Sequence, residues 1–292
     1  MSGFIFFWRY GTAIAGRSVG ARQFFILRFS RLYPLHFATL LLVALLQSIY
    51  LSRTGLYFVY QGNDGSHFLL QLFLASDWGF TSGYSFNGPI WSISIEVLVY
   101  FFFFLALRFM GLSPAVNVGV VLLCLFARSA DVYSPINDCL GLFYAGGLSA
   151  MAVEHCERNK LRGMASGFAC AVIVLAPACS YLFGWYEHRH FDILFLYTCI
   201  PMLLYLAARH VNLRSHAREA AAIAGNLTYA SYLIHFPLQL SVALLFAQVR
   251  IRIPFNDASF LIAYLAVTLA VSFFVYRYFE APAQAAIRSR FL

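Results

Sequence analysis

Long apolar runs separated by short polar connections set the pattern of this chain. A helix needs about 20 mostly apolar residues to cross a bilayer core of roughly 30 Å, and such runs recur near 33–52, 88–108, 114–130, 137–153, 164–183, 191–208, 227–248 and 259–279. The pattern predicts an all-α, polytopic transmembrane helical bundle with about eight full spans. Residues 1–8 are apolar too, but as a helix they are only about 12 Å long, so they read as the last part of a span. They lack the basic start and small-residue cleavage site of a signal peptide. No repeat, low-complexity tract or proline-rich linker divides the sequence, and residues 1–292 are read as one integral-membrane domain.

Composition agrees with that reading. Hydrophobic residues make up 61% and charged residues 11%, against about 25% charged in soluble domains. Of the 20 Lys and Arg residues, fifteen fall in one alternate set of loops and ends and five in the other, namely Arg53, Arg128, Arg189, Arg250 and Arg252. Because short cytoplasmic loops hold the excess of positive charge, the region from Arg9 to Arg31 and the C-terminus are expected to be cytoplasmic. The segment 52–87, with Asp64, His67 and Asp77, then faces outward. The net charge of +8 is spread over five cytoplasmic segments rather than gathered on a basic domain, so topology and anionic membrane lipid account for it and no nucleic-acid partner is implied. The six cysteines show no disulfide, zinc or redox spacing and read as small buried hydrophobes.

Against this apolar background a few polar groups carry the candidate chemistry. Glu96 lies in an almost wholly apolar stretch, where an ionisable side chain costs roughly 2.5 kcal/mol or more and normally faces a cavity, a partner or a reacting group. Ser92 is four residues before it and shares its helix face. Trp91 beside them is placed either to stack on a sugar or to sit in the interfacial aromatic belt. Arg28 and Arg31, three apart, put two guanidinium forks on one helical turn, which suits a phosphate; anchoring at the cytoplasmic boundary is the plainer alternative. A third cluster runs Thr228, Tyr229, Ser231, Tyr232, His235 and Pro237. There the spacing of four aligns Ser231 with His235 and Thr228 with Tyr232, and Pro237 predicts a helix irregularity. His235 is a candidate catalytic group or a hydrogen-bonded helix contact, and Tyr232, like Trp91, a candidate substrate contact. Arg277 and Glu280 have the spacing of a local pair, His36 lies at membrane depth, and Asp138 and Asp192 sit where helix capping explains them. No metal-binding, Walker, dinucleotide or nucleophile-elbow motif occurs.

Together these residues resemble the membrane-bound acyltransferase family 3, which includes O-acetyltransferases of lipopolysaccharide and exopolysaccharide. The resemblance rests on Ser2, Gly3, Phe4 and Ile5, on Arg28 and Arg31 ahead of Tyr33 and Pro34, on Trp91, Ser92 and Glu96, on the run from Ser231 to Pro237, and on Glu280 with Pro282. It implies transfer of an acyl group, usually acetyl, from acetyl-CoA as co-substrate to a hydroxyl of a glycan or lipid-linked sugar, with no tightly bound cofactor. It also implies a bacterial inner membrane and Arg28 and Arg31 on the phosphates of coenzyme A. Glu96, Ser92 and His235 are the candidate catalytic residues read from this sequence itself, and neither His36 nor His235 matches the position of the family's catalytic histidine. The family's first transmembrane helix carries an arginine and a histidine central to catalysis, and the expectation is that this sequence begins after that helix. A non-catalytic relative that binds donor or glycan, and a lipid or solute transporter, are the alternative readings.

The orientation has a direct test. A fluorescent protein fused after Leu292 is expected to fluoresce and alkaline phosphatase at the same point to stay inactive; active phosphatase there would invert the assignment.

Overall fold

The computed structural model describes residues 1–130, 132–184, 191–208, 215–254 and 256–292, without the side chains of 192–194. Asp192 therefore lies outside the described side chains, and Arg189, Arg209 and Arg214 outside the described residues. The helices are α1 (Ser2–Ala15), α2 (Ala21–Thr54), α3 (Gly65–Leu72), α4 (Ile90–Met110), α5 (Pro114–Ser129), α6 (Pro135–Arg158), α7 (Arg162–Leu182), α8 (Phe191–Ala207), α9 (Ser215–Val249), α10 (Ala258–Val275) and α11 (Ala281–Phe291), the last two joined by a π-helical turn at Tyr276–Glu280.

The eight expected spans all coincide with helices, and among the described residues six stretches are long and apolar enough to cross a membrane. These are α2, α4, α6, α7, α9 and the run from α10 through α11, with α5 and α8 shorter but apolar. The molecule is a helical membrane bundle. The largest departures from the hydropathy reading lie at two N-terminal ends. Helices α2 and α9 each start twelve residues earlier than their apolar cores, because hydropathy stops at charge whereas a helix continues wherever its polar side chains find partners. Helix α1 likewise continues past Trp8 to Ala15.

The chain forms two compact units, Met1–Gly20 with Leu98–Asn212, and Ala21–Val97 with Leu213–Leu292. In the first, α6 is central, packing against α1, α5 and α8, while α7 packs on α8. Helices α1 and α6 meet through glycine. A Cβ on Gly3 would lie 1.8 Å from the backbone oxygen of Phe143, and one on Gly146 3.0 Å from the nitrogen of Phe4, the close backbone approach that small residues allow in membranes. Around that contact stack Phe6 on Tyr100 (ring centroids 4.1 Å) and Phe7 edge-on to Phe103 (4.9 Å). The expected capping role of Asp138 is corrected here: Ser134 caps α6, accepting from the Ile136 amide, and Asp138 instead accepts from Arg128 Nη1 at 2.6 Å. The cysteines also depart from expectation. All six are free, but only Cys124 and Cys199 are buried, and Cys170 and Cys179 are exposed on α7, where the apolar neighbours of a thiol are lipid rather than protein.

In the second unit α2 packs on α9 and α11, and α9 on α10. Between α2 and α4, residues 55–89 fold as short α3 and irregular chain. Three non-glycine residues there, Val59, Leu74 and Phe86, have left-handed backbone, with φ of 61°, 56° and 40°. Such strain persists only where surrounding contacts over-determine it, and amide side chains supply those contacts. Gln47, 1% exposed, accepts from the Phe58 amide at 2.8 Å and donates to the Phe58 carbonyl at 2.9 Å. Gln71 donates to the Ser85 carbonyl at 2.5 Å, and Asn63 accepts from the Phe86 amide. Asp64 caps α3 through the His67 amide and also accepts from Ser66, bonds that hold its carboxyl well below the usual carboxylate range.

The glycine contact yields a stability prediction. Gly3→Ala is expected to cost about 1–3 kcal/mol, as overpacking against rigid backbone does, and to lower the thermal midpoint in detergent. Gly163→Ala, where an added methyl meets nothing within 4 Å, should leave it unchanged. Equal midpoints for the two variants would remove the contact from the account.

Candidate functional site

Two helix faces build the site in the second unit. Helix α4 begins at Ile90, after the Gly88-Pro89 turn, and carries Ser92 and Glu96 one turn apart on the same face. Helix α9 carries Tyr229 and Tyr232, also about one turn apart. The faces are joined at one point: the Tyr232 hydroxyl donates to the Pro89 carbonyl at 2.9 Å and lies 2.7 Å from Ser92 Oγ, which is itself 3.3 Å from that carbonyl. His235 is next along, its ring centroid 5.9 Å from that of Tyr232.

Pro237 does not interrupt α9, which stays α-helical from Ser215 to Val249, so the expected irregularity is corrected. The missing proline N–H frees the carbonyl four residues earlier, that of Leu233, and Asn87 Nδ2 donates to it at 3.3 Å while also reaching Thr39 Oγ1 at 3.3 Å. The lost helical bond is replaced from outside the helix. Asn87 thereby ties the start of α4 to both α2 and α9. Trp78 fastens the same helix one turn on, donating to the Ser94 carbonyl at 2.9 Å.

On the side of segment 55–89 an aromatic shelf surrounds the Ser92–Tyr232 contact. Tyr60 stacks on Phe236 at 5.6 Å and meets Tyr84 edge-on at 5.8 Å, and Tyr84 lies 6.0 Å from Trp91. Burial, with Tyr84 and Tyr232 nearby, pushes the Tyr60 hydroxyl above its ordinary pKa. Gly88 is what admits this ring, since a Cβ there would fall 2.2 Å from it.

On the other side lies an ion pair. Arg31 Nη1 is 2.9 Å from Glu280 Oε1, with Glu280 fully buried and the arginine side chain 22% exposed. The local Arg277–Glu280 pairing is therefore corrected: the π turn Tyr276–Glu280 carries Glu280 to α2, and Arg277 is exposed. The extra residue per turn of a π turn shifts the register of the residues after it. Glu280 also accepts from Gln284 at 2.9 Å, Gln284 accepts from Arg288 at 3.2 Å, and Arg288 Nε donates to Ser30 at 3.0 Å. Arg31 further donates to the Asn226 carbonyl at 3.4 Å and sits 5.7 Å from the ring centre of Tyr229, whose hydroxyl donates to the Leu32 carbonyl. Tyr229 lies within electrostatic reach of Arg31, Glu280 and Glu96 alike. Arg28 is half-buried one turn before Arg31.

The model of the acyltransferase domain family matches residues 1–277. The chain belongs to acyltransferase family 3. No curated protein and no solved structure matches it. As a family 3 acyltransferase domain in a membrane-spanning bundle, it brings Ser92, Tyr232 and Trp91 into one neighbourhood, with His235 beside Tyr232, Arg31 beside Tyr229 and Glu96 one turn beyond Ser92 on α4. Sequence reasoning named Tyr229 within the polar run but gave it no role, although it stands three residues before Tyr232 on the same stripe. It passed over Tyr60, Tyr84 and Asn87, which lie in irregular chain where no helical period points to them. His36, fully buried, has its Nε2 2.7 Å from the Gln71 carbonyl, which makes it a contact holding α3 to α2.

Removing one partner of a buried ion pair leaves an uncompensated charge and costs about 3–5 kcal/mol. Arg31→Met is therefore expected to lower the thermal midpoint sharply, and the double variant Arg31→Met with Glu280→Gln to recover most of the loss. A double variant no more stable than the single would show that the pair is not what Arg31 contributes.

Proposed function

We propose that this acyltransferase moves an acyl group, acetyl being the expected one, from acyl-coenzyme A to a hydroxyl of a glycan or lipid-linked sugar. In this reaction the sugar oxygen forms a bond to the acyl carbon, the thioester C–S bond breaks, and the hydroxyl proton passes to the departing thiolate. The observation that carries the reading is the juncture of α4 and α9. It puts a carboxylate (Glu96), hydroxyls (Ser92, Tyr232) and a histidine (His235) between a basic end and an aromatic end of one unit.

Each end suits one substrate. Arg28 and Arg31 supply the planar forks that phosphate oxygens take bidentately. Glu280 both balances and orients Arg31, so an incoming phosphate meets a guanidinium already fixed in place. Trp91, Tyr84 and Tyr60 offer flat apolar faces edged with hydroxyls, the surface a sugar ring requires. On α2 the arginine level at Arg31 and the Asn87 level at Thr39 are eight residues, about 12 Å, apart, a distance the pantetheine arm of coenzyme A spans readily. With the basic end cytoplasmic, the donor enters from inside and the acceptor from outside. Glu96 serves as the base for the attacking hydroxyl or as the group that orients a catalytic histidine.

Labelled acetyl-CoA and a panel of glycan acceptors, with the protein in lipid nanodiscs, test this. Glu96→Gln is expected to lower turnover by about 10²-fold or more, the usual scale of general acid–base catalysis, with little change in donor affinity. Arg28→Ala with Arg31→Ala should weaken acyl-CoA binding at least tenfold and leave acceptor binding intact, and Arg28→Ala alone, which keeps the Arg31–Glu280 pair, guards against loss of fold. Full activity in Glu96→Gln would end its catalytic assignment. Equal weakening of donor and acceptor would end the donor-site assignment, and donor binding without any turnover would favour a binding protein.

A further inference from the structure

Where segment 55–89 meets α2, the side chains of His36, Thr39, Gln71 and Asn87 lie close together, none of these residues more than 2% exposed. Their bonds run from one to the next: His36 Nε2 is 2.7 Å from the Gln71 carbonyl oxygen, Thr39 donates to the His36 carbonyl at 3.0 Å, and Asn87 Nδ2 donates to Thr39 Oγ1 at 3.3 Å. Residues from α2, α3 and the approach to α4 thus form one buried polar cluster.

Backbone carbonyls decide the direction of these bonds, because a carbonyl can only accept. His36 Nε2 therefore holds the ring proton, and in the neutral imidazole Nδ1 is an acceptor. Gln71 turns its Nε2 to the Ser85 carbonyl and Asn87 its Nδ2 to the Leu233 carbonyl, so both amides are fixed with their oxygens pointing elsewhere. His36 Nδ1, Gln71 Oε1 and Asn87 Oδ1 are all buried, and among the described residues no donor reaches any of them. The cluster is left with acceptors in excess at the point where Asn87 sets the start of α4.

A buried acceptor without a donor forfeits the full cost of its desolvation. A second proton on His36, a monovalent cation or water would each satisfy these atoms. An imidazolium or a sodium ion would bring a net charge into a cluster whose other members are all neutral, and a buried charge with no opposite charge beside it is far more costly than a buried neutral group. Water brings no charge. It commonly makes about three hydrogen bonds to buried polar groups that the protein leaves over, and since each molecule donates only two hydrogens, a second is needed for the third acceptor. We propose that His36, Gln71 and Asn87 form a binding site for internal water, which joins α2, α3 and the start of α4 through bonds that their own side chains do not make to one another. Such a site is present whether or not the protein transfers an acyl group.

X-ray radiolytic labelling of the full chain in lipid nanodiscs tests this, because hydroxyl radicals generated from a bound water oxidise the side chain beside it. His36 is expected to be labelled although it is 0% exposed, while the equally buried Phe24 and Phe103 stay unlabelled. After rapid mixing with oxygen-18 water, the label on His36 should take up the heavy isotope more slowly than that on Tyr84, which is 46% exposed, as a site closed from bulk solvent requires. Gln71→Met keeps the backbone carbonyl that His36 contacts and removes one acceptor, and it should bring His36 labelling down toward that of Phe24. If that variant fails to fold, the unaltered protein still decides the matter. An unlabelled His36 would mean a dry cluster, exchange as fast as at Tyr84 a cleft open to solvent, and either would overturn the proposal. So would full His36 labelling in a folded Gln71→Met protein, or a thermal midpoint raised by sodium or potassium over choline at equal ionic strength, which would put a cation in the site.

Discussion

A peptide N–H or carbonyl left without a partner inside a bilayer costs several kcal/mol, and irregular chain survives at membrane depth only where protein satisfies it. The second unit is organised around that constraint. Residues 55–89 are largely non-helical, yet their end at Asn87 is level with Thr39 and Leu233 in the body of α2 and α9. Amide side chains make this possible. Gln47 pairs with both backbone groups of Phe58, Gln71 takes the Ser85 carbonyl, and Asn63 takes the Phe86 amide. Asn87 completes the set by filling the bond that Pro237 denies to α9. Without these contacts α4 would start elsewhere, and the Ser92–Tyr232 juncture would not form.

Charge obeys the same constraint by a different route. A fully buried carboxylate is tolerable only with a cation and further hydrogen bonds, and Glu280 has Arg31 and Gln284. The π turn is the device that brings it there, and the chain of contacts on to Arg288 and Ser30 fixes the arginine's helix as well. A group fixed by its own protein has little orientation left to lose when an anion arrives. The proposed donor end is in this sense prepared in advance of its ligand.

Much of this was legible in the sequence because lipid imposes a strong code. Eight apolar runs located the helices, and Glu96, Ser92 and Trp91 stood out because polar groups in such runs need reasons. Legibility ended where contacts are made between distant segments. Spacing put Glu280 with Arg277, but a single π turn altered its direction, and nothing local in the sequence announces such a turn. Asp138 looked like a cap until Ser134, a better one, was found four residues earlier with Arg128 free to approach from α5. The aromatic shelf was hidden for a related reason: Tyr60 and Tyr84 belong to chain without a period, so only the fold sets them beside Trp91.

The reach of the contacts at the α4–α9 juncture bears on how such a protein is made. Asn87 waits for Leu233, 146 residues later, Ser92 waits for Tyr232 across 140, and Ser30 meets Arg288 across 258. During synthesis the first helices therefore enter the bilayer with polar groups whose partners do not yet exist. Until the last helices arrive, those groups must be shielded by the insertion machinery or by water drawn into the membrane. The site is completed late in synthesis, and a chain cut short before α9 would leave Asn87, Ser92 and Arg31 without the partners that Leu233, Tyr232 and Glu280 supply, a clear mark for a quality-control protease to read.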